Sequence, residues 1–245
     1  MRPLRGPCRH RTGGGDRAAN REVSCDAAAM TRPTSQLVAR TPRSLWTRWV
    51  SHFVAGELVG LGGVGLLGLL AVALVPEHPS MVLQVTIFVA MCASGALEGV
   101  SVGWFQHRVL RDVLPGVSRR SWILATAAGA VIAWVIGSAV TMSLPSSVDP
   151  SDILWLWLLL GIALGAVLGG AQAIALRGHV PSVDRWVIAN AVGWSVGLVV
   201  SFAGIGAASE APTLIAIPLA LVTGALTGIA PGAVTGHALL RYSHP

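Results

Sequence analysis

Six long apolar stretches, separated by short segments rich in turn-forming residues, set the pattern of this chain. They fall at about 52–75, 82–106, 121–143, 153–176, 186–207 and 213–240. A helix needs roughly 20 apolar residues to cross a bilayer, so each run predicts a membrane-spanning helix, the longest of them tilted. The connectors carry helix breakers: Pro76-Glu77-His78-Pro79, Pro115-Gly116, the stretch from Pro145 to Pro150, Pro181-Ser182 and Glu210-Ala211-Pro212. Residues 1–45 lack this pattern. They are rich in Arg, Gly, Ser and Thr without periodicity, which predicts a disordered basic cytoplasmic tail ahead of a transmembrane domain at 46–245. Within that tail, Met30-Thr31-Arg32-Pro33 reads as a more ordinary start, preceded by what resembles translated upstream sequence. The first apolar run has a small-residue motif, Ala71-Val72-Ala73, but it exceeds the length of a signal-peptide core and follows a long tail, so a retained helix is expected.

Composition agrees with this pattern. The chain of 245 residues is 53% hydrophobic and 11% charged, with a mean hydropathy of +0.67, whereas soluble domains carry about 25% charged residues. All 17 basic residues are Arg, so Walker A loops, Schiff bases and Ser-x-x-Lys pairs are excluded. The net charge of +6 is concentrated in residues 1–50, which hold ten Arg against three acids. A basic arm raises the question of nucleic acid, but no basic–aromatic array or zinc spacing supports it. Arg108, Arg111, Arg119, Arg120, Arg177 and Arg185 cluster after the second and fourth runs, and Arg241 follows the sixth. Glu77, Asp149, Asp152 and Glu210 follow the first, third and fifth, with no Arg. Positive residues stay inside, which predicts both termini in the cytoplasm and a protein of the cell membrane. Trp46, Trp49, Trp122, Trp155, Trp157 and Trp186 lie near run ends, where interfacial anchors are expected.

An internal repeat is the sharpest signal. The second run contains Gly95, Gly99 and Gly103 at intervals of four, then Gln106, Leu110-Arg111, Pro115 and Trp122. The fourth contains Gly161, Gly165, Gly169, Gln172, Leu176-Arg177, Pro181 and Trp186 in nearly the same register. The sixth has Gly224, Gly228 and Gly232, with Thr235 in the Gln position and Arg241 at its end. The odd runs share Trp49-x6-Gly56, Trp122-x6-Gly129 and Trp186-x6-Gly193. The first run can thus partner the sixth, giving an all-α fold of three parallel two-helix repeats in a pseudo-threefold ring. Glycines four apart share a helix face and let backbones approach where lipid removes the hydrophobic drive. The second, fourth and sixth helices are expected to meet through these faces.

The segment Trp186-Val-Ile-Ala-Asn190-Ala-Val-Gly193-Trp194, together with Gly165-x3-Gly169-x2-Gln172-x3-Leu176-Arg177, resembles a family of uncharacterised bacterial multi-pass membrane proteins. Such proteins repeat a Gly-x3-Gly-x2-Gln-Trp-Leu-x-Leu-Arg segment before a Trp-rich helix. The resemblance covers roughly residues 90–241, and this chain departs from it at His107 and Ala173, where Trp would follow Gln. It implies the fold and carries no activity to transfer.

Chemistry-bearing motifs are few. Gly99-Val-Ser101-Val-Gly103 matches a nucleophile elbow, and Gly63-Val-Gly65-Leu-Leu-Gly68 a dinucleotide loop, but both lie inside apolar helices rather than after a strand. Cys8, Cys25 and Cys92 are odd in number and badly placed for a disulfide framework. The seven His residues, at 10, 52, 78, 107, 179, 237 and 244, show no metal-ligand spacing on one helix. No metal or cofactor is expected. The polar residues that do stand out within the apolar runs are Glu57, Glu98, Gln106 and Gln172. The two Gln read as amides bonded to backbone or to the next repeat, or else as a polar gate. The two Glu fall at similar depth on consecutive helices, where an ionisable group is expensive and needs a reason. Either they are protonated and hydrogen-bonded, or they share a proton or a cation. A structural or regulatory membrane protein, working with a membrane partner or a second copy, is the expected function. A small-solute or proton transporter or channel-like protein using Glu57 and Glu98 is the alternative. No nucleophile–base or metal set suggests an enzyme.

Overall fold

The computed structural model describes residues 41–243 apart from 75, 77–79, 146–147, 149 and 210. The tail at 1–40, with Cys8, Cys25, His10 and the start at Met30, lies outside the described residues, as do Glu77, His78, Asp149, Glu210 and His244. The described part is helical: α1 Pro42–Leu74, α2 Met81–Val113, α3 Arg119–Ser143, a 3-10 turn Pro150–Ile153, α4 Leu154–Leu176, α5 Asp184–Ser209 and α6 Thr213–Ser243. Five of these, α2 to α6, are long and apolar enough to cross a membrane. The remaining helix, α1, spans 33 residues.

Local chemistry explains the boundaries. Ser80 and Ser118 cap α2 and α3 by accepting from the backbone N–H groups of Leu83 and Ser121, which satisfies donors left open at a helix start. Gly178 ends α4 in the left-handed region at φ 76°, a conformation that costs a residue with a Cβ more than it costs glycine. Two boundaries differ from the sequence reading. α1 begins at Pro42, inside the segment expected to be disordered, because proline suits the first turn of a helix and Thr41 accepts from Ser44 there. α2 continues to Val113, so Arg108 and Arg111 are helical and not part of a connector.

Each helix packs on its neighbours in chain order, and α6 returns to pack on α1, closing a six-helix ring. The starts of α1, α3 and α5 and the ends of α2, α4 and α6 lie together at one end, which carries Arg43, Arg48, Arg108, Arg111, Arg119, Arg120, Arg177, Arg185 and Arg241. This is called the arginine end below. The outer surface is apolar, with Val85, Val89, Val100, Leu158, Val192, Val196 and Leu221 all exposed.

The glycine faces do not point where the sequence reading put them. Those of α2, α4 and α6 do not meet one another; each lies against the odd helix that follows it around the ring. A Cβ on Gly99 would stand 2.6 Å from the Cα of Ala127 in α3, and one on Gly165 2.5 Å from the carbonyl oxygen of Asn190 in α5. On α6, Gly228 and Gly232 take the stems of Glu57 and Phe53 from α1. Gly224 is looser, with its nearest neighbour, a Leu58 methyl, 3.9 Å from where a Cβ would be. Removing side chains lets an antiparallel neighbour come close, whether a short connector joins the two helices, as in α2–α3 and α4–α5, or the ring closes on itself, as in α6–α1.

Candidate functional site

The ring interior has two parts. The first is a plug about one turn inside the arginine end. Trp49, Trp122 and Trp186, one from each odd helix, are fully buried. Their rings meet edge to face, with Trp186 centred 5.7 Å from Trp49 and 5.8 Å from Trp122. Polar groups come from Gln106, Gln172 and Thr235 of the even helices and from Thr126 of α3. Trp186 donates its indole N–H to Gln172 Oε1 at 2.9 Å, and Gln172 Nε2 donates to Gln106 Oε1 and to Thr126 Oγ1, both at 3.1 Å. Trp49 donates to Thr235 Oγ1 at 2.9 Å, so Thr235 does for Trp49 what Gln172 does for Trp186. Trp122 Nε1 has no partner among the described residues. Phe53, Leu110, Leu176 and Leu239 pack around this network.

The second part lies farther from the arginine end. A cavity of about 350 Å³ takes its wall from all six helices, through Leu61, Glu98, Trp134, Leu164, Trp194 and Thr227. It runs toward the opposite end as far as Thr141 and Phe202 and is almost wholly apolar. Glu98 is its acidic group. Trp134 donates its indole N–H to Glu98 Oε2 at 2.6 Å. Behind Glu98 stands Glu57, fully buried, whose carboxyl faces that of Glu98. Neither Glu57 oxygen meets an N–H or hydroxyl donor among the described residues. Two glycines make room for the pair: the Cα of Glu98 lies 2.9 Å from where a Cβ of Gly60 would be, and Glu57 Cγ 3.0 Å from that of Gly228. Trp194 adds a further buried polar atom without a partner among the described residues, its Nε1.

The four polar residues singled out in the sequence therefore divide between two places. Glu57 and Glu98 come together at the cavity, and Gln106 and Gln172 come together in the plug. Glu98 and Gln106 are separated by eight helical residues, about 12 Å along the axis. Four of the tryptophans expected as interfacial anchors do not project outward. Trp49, Trp122, Trp157 and Trp186 are buried inside the ring, and Trp155 alone of the six is largely exposed, at 62%. The shared Trp-x6-Gly register was the available clue, since residues in one register of a repeat face one way. Trp134 and Trp194 were missed, having no counterpart in the repeat pattern. The Ser101 hydroxyl donates to the Gly56 carbonyl of α1 at 3.0 Å. Among the described residues no three His, Cys, Asp or Glu side chains gather as a metal set. Compared with known proteins, the chain matches no family model, no curated protein and no solved structure.

Proposed function

We propose that this chain is a six-span protein of the cell membrane, with both termini in the cytoplasm, that carries a small solute or protons through the carboxyl pair Glu57–Glu98. One observation carries the reading: two acids from different helices meet at the wall of a cavity lined by the whole ring. A carboxylate in the bilayer interior is expensive, and two together are worse, so the pair needs a proton or a cation between them. Glu98 borders the cavity and exchanges with it; Glu57 sits behind and holds the second site. The apolar wall suits a small solute with few polar groups, while Trp194 Nε1 offers a donor to it. The three Gly–Trp registers support a pseudo-threefold ring of parallel repeats, built from α2–α3, α4–α5 and α6–α1. The likeness to uncharacterised bacterial multi-pass proteins is consistent with this fold.

A second reading has its own support. The tryptophan plug closes the ring toward the arginine end with a satisfied Gln172–Trp186–Gln106 network, and a closed ring suits a structural or regulatory subunit of a membrane complex. Flux in reconstituted vesicles separates the two. On the carrier reading, protons or a small cation cross, Glu98→Gln abolishes the flux while the protein stays folded, and Glu57→Gln weakens it. Full flux in the double Gln variant would remove the pair from the mechanism, and no flux of any tested solute would favour the subunit reading.

A further inference from the structure

A separate feature lies at the arginine end, in the corner between α2 and α3. Trp104, His107, Arg108 and Arg111, on the last turns of α2, line a pocket of about 210 Å³ with Arg119 of α3. Three arginines and no carboxylate line the pocket. Arg108 is held in place by Trp104, with its guanidinium carbon 4.7 Å from the ring centroid, a cation–π contact. The nearest acid in sequence, Asp112, is bound to Arg48 at 2.9 Å. His107 Nε2, 3.2 Å from the Val117 carbonyl oxygen, ties the wall to the connector. The matching corner between α4 and α5 is built differently. There the first turn of α5 carries Asp184, whereas the first turn of α3 carries Arg119 and Arg120 and no acid. Arg119 and Arg120 sit unfavourably at the positive end of α3, whereas Arg111 is favourably placed in the last turn of α2, and no carboxylate lines the corner between them.

We propose that this corner binds a phosphate oxyanion, with Arg108, Arg111 and Arg119 donating to its oxygens. Planar guanidinium forks match phosphate oxygens two at a time, and basic pockets between membrane helices take phospholipid headgroups. A lipid phosphodiester and free inorganic phosphate present the same oxygens, so the test has an arm for each.

The full chain is purified in detergent and its thermal unfolding and lipid retention by native mass spectrometry are followed with phosphatidylglycerol, with phosphatidylcholine, or with inorganic phosphate. A headgroup site is stabilised by phosphatidylglycerol more than by phosphatidylcholine; a soluble-phosphate site responds to inorganic phosphate alone. Each arginine near a membrane surface is worth about fivefold in affinity, so R108Q/R111Q/R119Q should weaken binding on the order of a hundredfold. R177Q/R185Q at the other corner should leave it unchanged. If the triple variant fails to fold, R119Q alone, at an exposed position, should show the loss of about fivefold. Binding unaffected by these substitutions, equal loss in the control variant, or no binding of any of the three probes overturns the proposal.

Discussion

Trp122 and Trp186 occupy the same register of their helices and are equally buried, yet their indole N–H groups fare differently. That of Trp186 is taken by Gln172 Oε1, and that of Trp122 has no partner among the described residues, although Gln106 Oε1 accepts from Gln172. Hydrogen bonds between membrane helices are worth about 0.6 kcal/mol on average and up to about 1.7. Trp186→Phe should therefore destabilise the detergent-solubilised protein by about 1 kcal/mol more than Trp122→Phe, since it alone strands the Gln172 carbonyl. Equal shifts in thermal unfolding would mean that the plug is held by ring packing and not by its amides. At Glu57 the expectation is opposite in sign. Its oxygens meet no donor among the described residues, so Glu57→Gln, which brings its own N–H donors toward Glu98, should keep or raise the unfolding temperature even as it weakens flux.

At the scale of the helix, the glycines divide by what stands opposite. Ala at Gly99, Gly161 or Gly165 would place a Cβ 2.5–2.6 Å from the backbone of the neighbouring helix, which cannot yield as a side chain can. Overpacking of this kind costs about 1–3 kcal/mol. Gly170 has nothing within 4 Å of a Cβ, and Gly224 has one methyl at 3.9 Å. Gly170→Ala and Gly224→Ala should be neutral or stabilising by up to about 1 kcal/mol, through helix propensity. Thermal unfolding of the five Ala variants checks this, and a Gly224→Ala loss as large as that of Gly165→Ala would contradict the packing described. The rank order is the point, because in sequence all nine ladder glycines look alike.

The described helices form a ring closed by α1 against α6, with the arginines of the described residues gathered at one end and Asp152 near the other. On the proposed orientation, in which the arginine end faces the cytoplasm, cysteines at Ser80 and Ala211 should react with an impermeant thiol reagent applied outside. Cysteines at Ser118 and Ser182 should react only after permeabilisation, in a background where the native cysteines are replaced. The reverse pattern would invert the orientation, and with it the side from which the cavity is reached.

Helical character, the apolar lengths of the helices and the shared register of Gly, Gln and Trp are written in the sequence because each is local. A run of 20 or more apolar residues forms a helix in lipid whatever its neighbours do, and Ser80, Ser118 and Gly178 mark its ends through adjacent backbone groups. Which face turns inward is not local. In water, a hydrophobic stripe separates core from solvent; in a bilayer, Val85 facing lipid and Leu110 facing the ring are the same kind of residue, so the 3.6-residue period carries little orientation. For that reason the sequence offered interfacial anchors where the structure buries Trp49, Trp122, Trp157 and Trp186, and offered glycine faces meeting each other where each meets the next helix. Glu57 and Glu98 could be placed at one depth by counting residues. That the two side chains come together, above Gly60 and Gly228 and beside a cavity, was decided only when six helices closed around a common centre.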